Sequence, residues 1–590
     1  MRVTGHCQMR GTAFAMIVLG LSLVLGTTSC SSGTAADGQP RSAAAGAAAS
    51  VPAAQGTLYI VRHGPVGAWD PQRLNIGADM AFAGRVFQRT LTAWAPATRQ
   101  NVLPALAPDL ATDTGKVAAG GRSWTFTLRT DAKWQDGRPV TCADVKYGIS
   151  RTYATDQITG GLTYALDLLD VPYKPDGSSV YAGPYRKTGQ AAYDKAVSCS
   201  GPTITFRLAR PALDFNQVVA LSAFSPVRAD QDGGARLATA IFSDGPYMLK
   251  GPWQAGRGAT FVRNPHWSAS TDQIRKARPE QVIFQEGVPV ETVFSKIMTN
   301  TGSDAFTVTA DSAPQVLQND ILSNPEITSR SSNPRGPFVD YLLPNFTRPA
   351  MTNRKARLAL AVATNREAYV NALGGESAAE PTLAMINKSL PAYSYFNPLQ
   401  VPPRGDAVGA RTLLQGSGLT LPVKITVAYR KGPLMDNAMV ALKRGWQEAG
   451  FTVTLEGIEK SYFTNIASVA TSRHYDVMWA VGSAEWPSGS SVIPSLFDSR
   501  LNLSATSSGQ DYGRFASAAF NGRIDAASKI PDASRRERAW GALDMEIAAN
   551  GTAIALTNSK SVFVRGAEVT NYLDNPALFG TVDLATASVR

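Results

Sequence analysis

Histidine and cysteine are scarce in this chain of 590 residues, which holds four of each. His6, His63, His266 and His474 fall in unrelated segments, and neither H-E-x-x-H nor C-x-x-C occurs, so no zinc-ligand set is visible. A G-x-S-x-G elbow, an S-x-x-K pair and a P-loop are absent as well, which removes the commonest hydrolase and nucleotide-binding signatures. Gly416-Ser417-Gly418 lacks the third glycine and the preceding strand of a dinucleotide site. Charged residues make up only 17% of the chain, yet the formal net charge is +11. The basic residues are scattered and no basic run carries interleaved aromatics, so the excess reads as solvated surface and no nucleic-acid partner is expected. A mean hydropathy of −0.11 excludes a multi-span membrane protein.

What is present begins with an export leader at residues 1–29. Arg2 and Arg10 make a basic start, Ala13–Leu25 is an apolar run too short to span and stay, and Gly26-Thr27-Thr28-Ser29 are small residues before Cys30. Small residues followed by cysteine resemble a bacterial lipobox, with Thr27 where leucine is usual. This implies a lipidated Cys30 and membrane attachment through it. Residues 30–55, rich in Ala, Ser and Gly, cannot bury a core and suit a flexible tether. Two cysteines then remain in an exported chain, Cys142 and Cys199. They are a candidate disulfide, the favoured reading, with two buried free thiols as the alternative.

The length requires more than one core. The densest local information lies in Trp124–Arg151, WTFTLRTDAKWQDGRPVTCADVKYGISR. Trp124–Arg129 alternates apolar and polar residues and predicts a half-buried strand. Trp134-Gln135-Asp136-Gly137 predicts a turn. Thr141 is placed to cap a helix, with Asp144 in its first turn.

This stretch resembles the signature of the family 5 solute-binding proteins, the oligopeptide- and dipeptide-binding components of ABC importers. Further blocks carry the likeness along the chain: Ser243–Leu249 with Phe261–Trp267 (a G-P-Y … R-N-P-x-W hairpin), Tyr341–Arg348 with the helix Asn353–Tyr369, and Asp406–Gly418. The resemblance implies an α/β, two-lobed periplasmic-binding-protein-like fold (type II, large, with an extra subdomain in lobe one) joined by hinge strands. The expected bounds are 56–285 for lobe one, 286–553 for lobe two and 554–590 for the return to lobe one. Helices are expected over Ala81–Thr92 and Val290–Asn300.

The resemblance also implies function. A lipid-anchored monomer at the outer face of the cytoplasmic membrane would capture a peptide between its lobes, without chemistry on it and without a cofactor. It would deliver that peptide to permease and ATPase subunits on separate chains. The segment Tyr475–Pro487 resembles the family's Y-D … W-x-x-D-Y-P-D-P stretch, whose first loop acid faces the ligand's α-ammonium. Glu485 stands at that position, and Ser488-Gly489 replaces the second Asp-Pro. Trp486 and Trp69 are candidate aromatic walls, and Trp69-Asp70-Pro71 resembles the family's L-D-P turn at the cleft wall. Asn345 is a candidate partner for a peptide backbone. Open alternatives are an oligosaccharide or metal chelate as solute, a regulatory lipoprotein that has lost transport, and, least favoured, an exported hydrolase, since triads are spatial and motif absence does not remove them.

Overall fold

The computed structural model describes residues 56–98, 103–186 and 188–590; the leader and Cys30 lie outside them. Among the described residues, three larger sheets organise the chain. In lobe one, Thr57–Val61 runs parallel to Gln281–Gln285 and to Thr307–Val308, and the hairpin Tyr247–Leu249/Gly258–Arg263 extends the sheet antiparallel. Its core is aromatic: Trp69, Phe82, Phe87, Trp253, Phe261 and Phe284 meet mostly edge to face.

The Trp124–Arg151 stretch builds the subdomain of lobe one. Ser123–Thr127 pairs antiparallel with Lys116–Ala118 and Thr203–Arg207, and Val197–Ser200 completes the sheet. Its alternation buries Trp124 and Phe126, which pack with Val145 and Ile149 of the helix Cys142–Arg151. Thr141 accepts a bond from the Asp144 amide while Asp144 reaches back to the Thr141 amide, a reciprocal cap. Gly137 turns the chain at φ 87°, a conformation that costs glycine little. The Cys142 and Cys199 sulfurs are bonded, with Cα atoms 6.0 Å apart. The bond ties the helix to the edge strand next to Thr203–Arg207.

Lobe two is a six-stranded mixed sheet, ordered Ala379–Pro381, Ile554–Lys560, Arg335–Pro344, Val477–Ser483, Val423–Arg430, Phe451–Ile458. Helices Arg354–Ala363, Arg366–Leu373 and Pro433–Glu448 contribute to its core. Sheet membership moves two expected bounds. Thr307–Val308 still belongs to the lobe-one sheet, and Ile554–Lys560 is a central strand of lobe two. The two crossings pair with each other as Ser331–Ser332 and Phe563–Val564, the hinge strands.

Two helices also differ from expectation. The first runs Gly77–Val86 and not Ala81–Thr92. Arg89 is instead turned inward, bonded to Asp109 at 2.7 Å and the Thr271 carbonyl at 2.7 Å. The Asn353–Tyr369 helix is two helices, because Asn365 caps a new start by accepting from the Ala368 amide.

Candidate functional site

The strand Val477–Ser483 lies inside the lobe-two sheet and hands the chain to a loop that faces lobe one. The loop is fixed from both sides. Ser491 Oγ accepts from the Glu485 amide at 2.7 Å, while the Glu537 carboxylate takes Ser488 Oγ at 2.6 Å and the Gly489 amide at 2.9 Å. Across the cleft, Trp486 Nε1 donates to Asp214 Oδ2 at 2.8 Å, and Ser490 Oγ donates to the same oxygen. The Trp486 ring meets Tyr164 edge-on at 5.1 Å. The indole is thus buried in the subdomain core although it comes from lobe two.

One residue earlier, Glu485 is half-buried at the junction of two cavities. One, with about 370 Å³ of open space, runs along Arg335, Pro337, Asn387, Ser389 and Pro576. The other, with about 580 Å³ of space that includes open solvent, enters lobe one between the helix Gly77–Val86 and residues 220–225. The Glu485 side chain has no hydrogen-bond or ion-pair partner among the described residues, and desolvation pushes its carboxyl up to about 7.

The cations around it are already engaged. Arg85 grips Asp583 at 2.8 and 3.0 Å, and Arg275 holds Asp109 at 2.9 Å and Asp272 at 3.0 Å. Arg335 bonds Glu380 at 2.5 Å, and Lys388 shares that carboxylate at 3.3 Å. Two cations on one acid leave an uncompensated positive charge at the rim of the first cavity. The arrangement therefore offers a partnerless carboxylate inside and a basic rim outside, a receptor for a cation on a longer solute.

Three other expected residues are elsewhere. Trp69 is 2% exposed in the aromatic core of lobe one. Asp70 forms two 2.7 Å bonds with Arg151, both side chains fully buried. Asn345 spends its amide on the Tyr475 carbonyl at 2.9 Å and its oxygen on Thr347 at 2.7 and 3.0 Å. Asp70 and Asn345 have hydrogen-bond partners within the fold, Trp69 has its ring neighbours, and none of the three lines the two cleft cavities. Conversely, Asp214, Tyr164 and the cavity wall of Gly77–Val86 went unmarked in the sequence. The glycine inside that helix was the available signal. No group of three or more His, Cys, Asp or Glu side chains among the described residues is arranged to hold a metal, and no described helix is long and apolar enough to cross a membrane.

Comparison with known proteins agrees with this architecture. The profile of the bacterial extracellular solute-binding proteins, family 5 (Middle), matches residues 105–502. The periplasmic oligopeptide-binding protein OppA of Salmonella typhimurium is 22% identical over 453 residues, covering 72% of this chain and 74% of that protein. The periplasmic murein peptide-binding protein MppA of Escherichia coli is 24% identical over 425 residues, covering 69% and 71%. Among solved structures, clavulanic acid biosynthesis oligopeptide binding protein 2 superposes with a TM-score of 0.81 at 25% identity, covering 91% of this chain and 96% of that one.

Proposed function

The chain belongs to the bacterial extracellular solute-binding proteins of family 5, and from that premise we propose that it captures peptides for an ABC importer. The observation that carries this reading is the Glu485 carboxylate, partnerless and desolvated where the lobes meet. A peptide's α-ammonium supplies the charge that site lacks, and the ion pair forms only once the lobes exclude water around it. The peptide-binding names of OppA and MppA support the choice of solute.

Capture involves no chemistry on the peptide. Closure about the hinge strands is a population shift driven by the ligand's better contacts with the closed form, and Trp486 docking on Asp214 is one of the contacts made only on closure. The closed protein, a monomer held at the outer membrane face through a lipidated Cys30, then meets its permease and ATPase, which are separate chains.

The test is calorimetric titration with short peptides bearing free or acetylated amines. Free-amine peptides are expected to bind. Acetylation, or Glu485→Gln, should weaken binding by roughly thirtyfold or more, the scale of removing one partner of a desolvated charge pair. Equal affinity for acetylated peptides would overturn the reading.

A further inference from the structure

Gly84 is a glycine with no structural duty. It sits inside the helix Gly77–Val86 with ordinary helical backbone, where glycine is the poorest helix former after proline. A Cβ built on it would meet nothing within 4 Å. Its neighbours Ala83 and Arg85 are buried, whereas Gly84 itself is only half so. The space its missing side chain would occupy is the lobe-one cavity that opens at Glu485.

The wall of that cavity is apolar over much of its area, from Met80, Ala81, Ala93, Trp94, Leu221 and Leu578, and its uncharged polar groups are the side chains of Gln88, Thr90, Ser222 and Ser225. Both guanidiniums in the wall are neutralised: Arg85 by Asp583, and Arg275 by Asp109 and Asp272, with its remaining donors on the Gly84 and Gln88 carbonyls. Apart from Glu485 at the mouth, the cavity keeps no carboxylate free to hold a cation and no cation free to hold an anion.

Resting on the peptide reading, we propose that this cavity receives the side chain of the ligand's first residue, and that Gly84 sets its depth. With the ammonium on Glu485, the first side chain is the group nearest the cavity mouth, while the rest of the peptide leaves along Arg335. The pocket then selects uncharged, bulky first residues. A lysine or aspartate there would be stripped of water with no partner in return.

The experiment measures the affinities of Leu-Ala, Phe-Ala, Ala-Ala, Lys-Ala and Asp-Ala for the protein and its Gly84→Leu and Gly84→Ala variants. Leu-Ala and Phe-Ala are expected to exceed Lys-Ala and Asp-Ala by at least about tenfold, the discrimination an apolar pocket supplies. Gly84→Leu should reverse the order of Leu-Ala and Ala-Ala at an unreduced melting temperature, with Gly84→Ala intermediate. Peptides that bind through Glu485 with no preference for the first residue, or a preference that Gly84→Leu leaves intact, would overturn the pocket alone. Binding that ignores Glu485→Gln would overturn the peptide reading beneath it.

Discussion

Two acids of this molecule stand beside a tryptophan and near a proline, Trp69-Asp70-Pro71 and Glu485-Trp486-Pro487. Their fates are opposite. Asp70 is gripped at both oxygens by Arg151, which Asp232 also contacts at 3.1 Å, and Trp69 disappears into a ring cluster. Glu485 keeps its carboxylate free, while Trp486 reaches into the other lobe. The acid itself does not decide between structure and function. What decides is whether the fold supplies a cation. Where it does, the charge is used up holding lobe one to its subdomain. Where it does not, the burial penalty stands, and on the proposed reading a ligand's cation relieves it.

The largest effect expected from breaking this contrast is on Asp70. Asp70→Asn leaves the Arg151 guanidinium buried with only Asp232 for charge compensation, and removing one partner of a buried pair costs about 3–5 kcal/mol. Denaturant unfolding should record that loss. The folded fraction should bind peptide with unchanged affinity, since Asp70 does not line the cleft cavities. Loss of binding in a fully folded Asp70→Asn protein would restore the residue to the site.

Glu485→Gln is the mirror experiment, with affinity lost and stability kept or raised. The sign follows from the shift. A carboxyl raised from 4.5 to about 7 binds more protons in the folded state than in the unfolded one between those values. Its contribution to the stability of the ligand-free protein is therefore full below pH 4.5 and declines as pH rises to about 7. Glu485→Gln should remove that decline. Binding has the reverse dependence, because an ammonium ligand requires the ionised form: affinity should fall by roughly tenfold per pH unit below about 7. Affinity that is flat from pH 5 to 8 would show that Glu485 does not carry the ligand's charge.

How much of this was legible in the chain follows from the distance to each partner. The cap of Thr141 by Asp144, the Gly137 turn and the alternation of Ser123–Thr127 are local, and the pattern of residue types was enough to read them. The disulfide was readable only as a pairing of two remaining thiols. The partners that Asp70 and Asn345 have in the fold were not legible, because they lie far along the chain, at Arg151 and Tyr475, and nothing near either residue announces them. Glu485 was singled out as a candidate through the likeness of its loop to a known one. Its isolation was not readable, since an absence of cations depends on where Arg85, Arg275 and Arg335 spend their donors. The return of the chain was placed too early for the same reason: the strand Ile554–Lys560 belongs to lobe two because of what it pairs with, and its own sequence does not say so.

The smallest effects separate the two tryptophans. Trp69 Nε1 is buried without a hydrogen-bond partner, so Trp69→Phe gives up no bond there and costs only packing, about 1–2 kcal/mol of global stability. Trp486→Phe gives up the donor to Asp214, a bond that joins the two lobes. Its cost of about 1 kcal/mol should therefore fall on closure and leave the unfolding of each lobe alone. Small-angle scattering of the ligand-free protein should show a larger mean radius for Trp486→Phe than for Trp69→Phe. Peptide affinity should drop roughly fivefold in Trp486→Phe alone, because ligand must then supply the closing energy that the clasp no longer contributes. Equal radii and equal affinities would mean that Trp486, like Trp69, is only packing.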